Sequence, residues 1–170
     1  PVMTDVVELV SRRTAMFESV AHKKRINLLF TSNQESFFTA LDTLKIEKVV
    51  DNLISNAIKY SHQDGAVEIN LFCEKKKWTL EVRDYGLGIS DNTKKKLFSE
   101  FYRGDNSVNS RIVGSGIGLL LVKSYVTMHG GQVSVNSKVN AGSSFKVTIP
   151  YKYLEEGNNQ TAVRSGESTV

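Results

Sequence analysis

Apolar side chains recur every three or four residues along two stretches near the start of the chain, and this spacing predicts amphipathic helices. The first stretch covers residues 5–25, where Asp5 can cap the N-terminus and Glu8 follows three residues later. The second covers roughly 43–60 and begins after Asp42, another good N-cap residue. Between them, the apolar runs in INLLFTSN and SFFTAL predict a pair of short strands.

The hydrophobic period changes to two in the middle of the chain. AVEINLFCE and WTLEVRD alternate apolar and polar residues on either side of a lysine run, which predicts a hairpin with one buried face. NTKKKLFSEF then predicts a short helix, residues 103–115 a polar loop, and residues from 116 to about 129 a further helix. GQVSVNS and SSFKVTIP predict a closing hairpin around KVNAG.

This order of elements predicts an α+β fold of two layers, with about three helices on one face of a mixed, mostly antiparallel sheet. The residues at 154–170 include few apolar side chains and predict a disordered tail or linker. We therefore expect one domain over residues 1–153, followed by this polar tail.

Composition narrows the class of protein. The chain has 170 residues, of which 40% are hydrophobic and 24% charged, and no apolar run reaches the ~20 residues of a membrane helix. The single cysteine, Cys73, excludes an internal disulfide, and its separation from the three histidines gives no zinc-binding pattern. The net charge of +4 comes with short basic runs at 75–77 and 94–96, so we expect solvated surface there and no nucleic acid partner.

A polar stripe runs along the second predicted helix. Asn52, Asn56, Lys59 and Tyr60 share one side of it, among apolar neighbours. One interpretation is a solvated outer face. The other is one wall of a binding site, because amide oxygens can ligate Mg²⁺ and a lysine can contact phosphate as a point charge.

The stretch DYGLGI places Asp84 at the end of a predicted strand, with Gly86 and Gly88 directly after it. A carboxylate there can accept hydrogen bonds from an exocyclic amine, and the glycines allow a close approach to the backbone. A plain glycine turn is the alternative interpretation.

The stretch GSGIGL holds Gly114, Gly116 and Gly118 where a helix is predicted to begin. Its third glycine comes one residue too early for a dinucleotide fingerprint, a polar loop precedes it in place of a strand, and no G-K-[ST] of a P-loop follows. What remains is a glycine-rich segment at a helix N-terminus, where exposed N–H groups and the helix dipole favour an anion.

Taken together, these stretches occur in an order that resembles sensor histidine kinases. NLISNAIKYS, DYGLGIS, LFSEFYRGD and GSGIGLLLVK are similar to that family's N, G1, F and G2 boxes, and HGGQVSVNSKVNAGSSFKVTIP is similar to its closing strands. The resemblance covers roughly residues 2–151. It implies the Bergerat ATP-binding fold, shared with gyrase-type, heat-shock-90-type and mismatch-repair ATPases, with ATP and Mg²⁺ as ligands.

The resemblance implies a phosphate-binding set on the second predicted helix. Asn56, together with Asn52, is expected to hold Mg²⁺ against the triphosphate. Lys59 is expected to contact phosphate, and Tyr60 to lie along the nucleoside. In the F box, Arg103 is expected to reach the γ-phosphate, so Asn56, Lys59 and Arg103 are the expected catalytic residues.

The resemblance also implies an adenine pocket. Asp84 is expected to bind the adenine amine directly and through a water molecule. Gly86, Gly88 and Ile89 are expected to line the pocket. Ser144, in the closing GSSF, occupies a place where the family often has threonine, and is expected to help fix the water beside Asp84.

The F and G2 boxes together imply a lid over the nucleotide. Phe101, with Phe98, is expected to anchor this lid, and Arg111 is a second candidate for the γ-phosphate. The lid's hinge and phosphate-facing end are expected at Gly114, Ser115, Gly116, Ile117, Gly118 and Leu119.

The family transfers phosphate to a histidine that is followed by Glu or Asp on a helical dimerisation domain. His22, His62 and His129 do not match that motif, so the acceptor is expected on a separate domain. The expected partners are that domain, within a homodimer of the full-length protein, and a response regulator receiver domain. We expect a cytoplasmic location without direct membrane contact, as the cytosolic part of a membrane-anchored bacterial sensor.

One departure from related ATPases bears on the reaction. Gyrase-type relatives carry a water-activating glutamate where this chain has Asn52, so the resemblance favours transfer to a protein over strong ATP hydrolysis. Two other functions remain open: an ATP-gated binding module without transfer, and an anti-sigma-type serine kinase of the same superfamily. The phenylalanine-bearing LFSEFYRGD favours the histidine kinase.

Overall fold

The computed structural model describes residues 1–98 and 117–153 of the chain. Within these ranges the helices are α1 (Val6–Met16), α2 (Glu18–Lys23), α3 (Thr43–Tyr60), α4 (Asp91–Lys96) and α5 (Gly118–Met128). The strands are β1 (Val2–Asp5), β2 (Asn27–Ser32), β3 (Phe38–Leu41), β4 (Ala66–Glu74), β5 (Lys77–Asp84), β6 (Gln132–Lys138) and β7 (Gly142–Pro150).

Five strands form one sheet in the order β2-β4-β5-β7-β6. β2 pairs with β4 in parallel, and the other neighbours pair antiparallel. Asp84, at the end of β5, lies opposite Val67 of β4 and Ser143 of β7. The sheet is therefore mixed and mostly antiparallel, which confirms the predicted fold class.

One face of this sheet carries the hydrophobic core, and α1, α3 and α5 pack on it as the second layer. Along β4, β5 and β7 every second side chain is buried, as the alternation predicted. The apolar members of this set are Val67, Ile69, Leu71, Cys73, Trp78, Leu80, Val82, Phe145, Val147 and Ile149. The opposite face is largely polar, and there the hydroxyls of Thr79 and Thr148 form a hydrogen bond of 3.1 Å.

The single helix predicted over residues 5–25 is in fact two helices. α1 ends at Met16, and Phe17, with φ −94° and ψ −2°, separates it from α2. The N–H of Phe17 donates to the carbonyl of Thr14 at 3.0 Å. Phe17 packs against the core at this turn, and Ala21 of α2 is fully buried. Tertiary packing therefore interrupts the helix at a point where the local periodicity predicts that it continues.

The two short strands predicted as a pair are not neighbours. β3 pairs with β1, a strand that the sequence pattern did not predict. β2 lies beside β4 in parallel, with α3 in the connection between them. Both strands exist, but the predicted pairing between them is wrong. β2 can pair with β4 instead, because a parallel pair needs a long crossover connection and α3 provides it.

The remaining described elements are present where the sequence predicted them, except that α4 ends at Lys96, before the end of the stretch NTKKKLFSEF that predicted it. α3, α4 and α5 are helices, and β4–β5 and β6–β7 are hairpins. Among the described helices, none is both long enough and apolar enough to cross a membrane. The predicted polar loop at 103–115 and the tail at 154–170 lie outside the described residues, so the domain boundary at 153 stays a prediction.

Two ion pairs join α1 to α3. The guanidinium of Arg13 donates to Asp51 at 2.8 Å, and Arg12 donates to Glu47 at 2.9 Å. The hydrogen bond with Asp51 raises the pKa of Arg13. Asp42 caps the start of α3 by accepting a backbone N–H from its first turn at 3.2 Å.

The two faces of β4 give a direct test of this architecture. Leu71 is 1% exposed and faces the helices, whereas its neighbour Phe72 is 47% exposed on the other face. Leu71→Ala should lower the free energy of unfolding by about 2–5 kcal/mol, because it removes apolar contacts and leaves a cavity. Phe72→Ala should cost less than about 1 kcal/mol. Urea unfolding monitored by circular dichroism measures both, and equal losses would contradict the assigned faces.

Candidate functional site

Asp84 is a buried carboxylate at the end of β5. Its side chain accepts a hydrogen bond from the backbone N–H of Gly86 at 3.0 Å, and only 4% of the residue is exposed. Burial raises the pKa of Asp84, while the backbone N–H groups of Gly86 and Ser143 and the nearby charges of His62 and Lys24 act in the opposite direction. A buried carboxylate whose pKa is shifted in this way is a candidate functional group.

The glycine loop that follows, residues 85–90, is held from two sides. The N–H of Leu87 donates to the carbonyl of Tyr60, at the end of α3, at 3.1 Å. The carbonyl of Leu87 accepts from the N–H of Asn140, in the β6–β7 turn, at 2.7 Å. The N–H of Ile89 donates to Ser137 Oγ at 2.8 Å. The loop therefore lies between the C-terminal end of α3 and the last hairpin.

Neither glycine of this loop can be replaced by a residue with a side chain unless the backbone moves. A Cβ at Gly86 would overlap the carbonyl oxygen of Tyr60. Gly88 has φ +68°, and a Cβ there would overlap the carbonyl oxygen of Lys138. A plain glycine turn therefore does not explain this loop, because its glycines are in close contact with the end of α3 and the end of β6.

A pair of buried serines joins the last hairpin to the end of β5. Ser137 Oγ donates to the carbonyl of Gly142 at 2.8 Å and lies 2.9 Å from Ser143 Oγ. Ser143 is directly opposite Asp84 in the sheet, and both serines are less than a tenth exposed. Together with the Ile89 N–H, these contacts connect the carboxylate, the glycine loop and the hairpin.

The structure does not bring Ser144 to Asp84. Successive residues of a strand point to opposite faces, so Ser144 lies on the outer face, where its hydroxyl donates to Glu81 at 2.5 Å. The serine beside Asp84 is Ser143. The sequence held the signal for this, because Ser143 has the same parity along β7 as the buried Phe145.

The polar stripe of α3 meets the start of α5. Asn52 donates through Nδ2 to the carbonyl of Lys48 at 2.7 Å, and its amide oxygen faces Gly118, where a Cβ would overlap it. Asn56 is half-buried farther along the same helix, and Lys59 is exposed. The stripe is thus partly covered by α5 and is not a fully solvated face.

The remaining predicted residues divide into two groups. In the described part, Tyr60 is half-buried, Ile117 directly precedes α5, and Ile89 and Leu119 pack against the core, as does Phe98. The predicted site residues that lie outside the described ranges are Phe101, Arg103, Arg111, Gly114, Ser115 and Gly116.

The histidines have structural or surface positions. His129 is buried, its Nδ1 lies 2.6 Å from the carbonyl of Tyr125, and its Nε2 accepts the backbone N–H of Asp42 at 3.0 Å. It therefore joins the end of α5 to the start of α3. His22 and His62 are exposed.

The region around Gly86 is suited to a polar ligand. Within residues 1–98 and 117–153, two buried side-chain atoms lack a hydrogen-bond partner, Ser61 Oγ and Trp78 Nε1. Ser61 directly follows α3, and its Cα lies against Gly86. A buried hydroxyl without a protein partner needs a water molecule or a ligand atom.

A metal ion would depend on amide oxygens here. Among the described residues, no group of three or more His, Cys, Asp or Glu side chains could hold a metal. Asn52 and Asn56 supply neutral oxygen donors, and Mg²⁺ accepts such donors when waters and phosphate oxygens complete its octahedron. The donor set therefore fits Mg²⁺ bound together with a polyphosphate.

Comparison with known families identifies this arrangement. Residues 41–153 match the family described as Histidine kinase-, DNA gyrase B-, and HSP90-like ATPase. The matched range contains the stripe on α3, Asp84, the glycine loop and the last hairpin. The chain therefore belongs to this ATPase family.

Its relatives include sensor kinases. Sensor protein kinase WalK of Staphylococcus saprophyticus is 37% identical over 126 residues, which are 73% of this chain and 21% of WalK. Hybrid signal transduction histidine kinase D of Dictyostelium discoideum is 32% identical over 153 residues, which are 87% of this chain and 10% of that kinase. The chain thus spans about a fifth and a tenth of the lengths of these curated relatives.

A solved structure supports the same grouping. The catalytic domain of histidine kinase ThkA superposes with a TM-score of 0.77 at 26% identity, covering 90% of this chain and all of that domain (100%). The resemblance to sensor histidine kinases is confirmed.

The serine pair can be tested without a ligand. Ser137→Ala removes the acceptor of the Ile89 N–H and the donor to Gly142, which should lower the free energy of unfolding by about 1–3 kcal/mol. Ser134→Ala, at an exposed position of the same strand, is the matched control and should change it by less than about 0.5 kcal/mol. Urea unfolding measures both variants. A Ser137→Ala protein as stable as this control would show that the network contributes nothing.

Proposed function

We propose that this chain binds Mg·ATP and donates the γ-phosphate to a histidine on the dimerisation domain of a sensor histidine kinase. The observation that carries the proposal is the buried Asp84 beside a glycine loop that is hydrogen-bonded to the end of α3. Membership of the ATPase family and the names of the relatives support it.

Asp84 would read the adenine base. In its ionised form the carboxylate only accepts hydrogen bonds, which suits the exocyclic amine of adenine. The backbone N–H of Gly86 occupies one carboxylate oxygen. Ser143, in place of Ser144, would help hold a water molecule there, because it lies on the same face as Asp84. Ile89 would line the base together with the glycine loop.

The phosphates would lie toward the polar stripe of α3. Lys59 would contact phosphate, Tyr60 would lie along the nucleoside, and Asn52 and Asn56 would hold Mg²⁺ through their amide oxygens. When bound, Mg²⁺ would neutralise charge on the phosphates. The start of α5 would offer backbone N–H groups to an anion, and Arg103 is proposed for the γ-phosphate.

Transfer to a protein is favoured over hydrolysis. The Nδ2 of Asn52 donates to the carbonyl of Lys48, and an amide side chain cannot take a proton from an attacking water molecule. No carboxylate therefore stands at this position to act as a general base.

The proposed partners follow from the relatives. They are the histidine-bearing dimerisation domain of the same protein, within a full-length homodimer, and a response regulator receiver domain. We propose a cytoplasmic location for this part of a membrane-anchored bacterial sensor, without direct membrane contact or nucleic acid binding. These partners and this location are proposed for the full-length protein, since the chain spans about a fifth of the length of WalK.

Asp84→Asn tests adenine recognition. It should raise the dissociation constant for Mg·ADP by about one to two orders of magnitude, because a hydrogen bond to a charged group is lost, and should change that for Mg·pyrophosphate much less. Titration calorimetry measures both ligands. Asp91→Asn, at an exposed position on α4, is the control. Equal losses for the two ligands would remove Asp84 from the adenine site.

The same experiment has a pH dependence with a definite sign. Because burial raises the pKa of Asp84, protonation begins at a higher pH than for an exposed aspartate. The preference for Mg·ADP over Mg·pyrophosphate should therefore decline as the pH falls through this raised pKa. Asp84→Asn, which has no proton to gain, should lose that dependence.

Phosphotransfer is tested with radiolabelled ATP and the dimerisation domain of the same full-length protein. Acid-labile, base-stable label on that domain supports transfer to histidine. Acid-stable label would indicate a serine kinase, and nucleotide binding without label would indicate an ATP-gated module.

Asn56→Asp should abolish the transfer while the circular dichroism spectrum stays unchanged, because it places a negative charge beside the triphosphate. Asn92→Asp, exposed on α4, is the control, and full activity of Asn56→Asp would exclude Asn56 from the metal site.

A further inference from the structure

Lys24 lies where α2 ends and contacts the far end of α3. Its ammonium group donates to the carbonyl of Ile58 at 2.7 Å and to the carbonyl of Lys59 at 2.7 Å. The turn after α2 fixes this position, because Arg25 adopts φ +55° and the N–H of Ile26 returns to the carbonyl of Ala21 at 2.9 Å. Lys24 is half-buried by these contacts.

These two bonds complete the hydrogen bonding of the end of α3. The last four carbonyls of a helix have no partner within the helix. Here the carbonyl of Ala57 accepts from Ser61 N at 3.1 Å, and that of Tyr60 accepts from Leu87 N at 3.1 Å. The two carbonyls between them belong to Ile58 and Lys59 and are satisfied by Lys24 alone among the described side chains. A cation at a helix C-terminus is also favoured by the helix dipole.

The end of α3 is part of the candidate adenine site. The bond from Leu87 to Tyr60 joins it to the glycine loop, and Asp84 directly precedes that loop. Burial lowers the pKa of Lys24, and the negative charge of Asp84 acts in the opposite direction. Burial raises the pKa of Asp84, and the charge of Lys24 is among the influences that oppose this rise.

We propose that Lys24 is a positioning residue for adenine recognition, which holds the end of α3 in place against the glycine loop through the carbonyls of Ile58 and Lys59. The inference rests on the proposed function, since it assigns a residue to the same nucleotide site. Nothing in the role requires Lys24 to touch the nucleotide.

The role has a consequence that a purely stabilising contact lacks. Without the ammonium group, the carbonyls of Ile58 and Lys59 bond to water or to other groups, and α2 no longer holds the neighbouring carbonyl of Tyr60 in position. The glycine loop then loses its fixed distance from α3. Adenine recognition suffers most, because hydrogen bonds weaken steeply with poor geometry. The long, exposed side chain of Lys59 can still follow the phosphates.

The test compares Lys24→Met, Lys24→Arg and the control Lys23→Met, which changes an exposed lysine one residue earlier. Titration calorimetry well below the melting temperature gives dissociation constants for Mg·ADP and Mg·pyrophosphate. Lys24→Met should raise the constant for Mg·ADP about tenfold and that for Mg·pyrophosphate less than about twofold. Lys24→Arg should recover most of the loss, because a guanidinium keeps the charge and can donate to both carbonyls. Lys23→Met should match the wild type.

A second measurement does not need the methionine variant to be stable. Amide hydrogen exchange by NMR, compared between the wild type and Lys24→Gln, should be faster at Leu87 in the variant and unchanged at Val82 in the middle of β5. Unchanged exchange at Leu87 would overturn the proposal.

Other outcomes of the calorimetry distinguish an error in the role of Lys24 from an error in the proposed function. If Lys24→Met binds Mg·ADP as the wild type does and only its melting temperature falls, Lys24 is merely stabilising and the proposal is wrong. Equal losses for both ligands would also overturn it. A wild-type chain that binds no adenine nucleotide would instead overturn the proposed function, and this inference with it.

Discussion

The carbonyl end of α3 is hydrogen-bonded to other parts of the protein, and the rest of the candidate site depends on these bonds. A helix cannot satisfy its last carbonyls itself, and here the backbone of Leu87 and the ammonium group of Lys24 donate to three of them. One partner is the Leu87 N–H, which brings the glycine loop so close to Tyr60 that Gly86 has no room for a side chain. Asp84 is thereby set at a fixed distance from the polar stripe of α3, although the two motifs lie far apart in sequence.

The second constraint is the burial of a charge. A carboxylate removed from water is costly unless donors compensate it, and Asp84 retains a raised pKa despite backbone N–H groups and nearby positive charges. The surrounding structure holds it nonetheless through the strand pairing with Ser143 and the bond from Gly86. A ligand that offers a hydrogen-bond donor would reduce that cost on binding. The burial of Asp84 thus lowers the stability of the ligand-free protein and favours the proposed complex with adenine.

Elements with strong local patterns could be predicted from the sequence. The helix expected over 43–60 is α3 within its predicted bounds, because its cap at Asp42 and its apolar spacing are both local. Both hairpins were predicted for the same reason. The break at Phe17 was missed, since it depends on what the side chain contacts in the core. Strand β1 was also missed, because its four residues carry no pattern. It pairs with β3, which follows α1, α2 and β2 in the sequence.

By itself, the sequence determined which residues share a face of one element and which motifs mark the ATPase family, because periodicity and motif spacing are properties of neighbouring residues. It placed Asp84 at a strand end and the asparagines on one side of a helix. It pointed to Ser144 beside Asp84, although the alternation along β7 held the signal for Ser143. The tertiary structure alone decided which faces meet: β2 beside β4, the last hairpin against the glycine loop, and Lys24 at the end of α3. Those contacts join distant segments, and they form because buried polar groups must be paired across the packed layers, a requirement that no local pattern records.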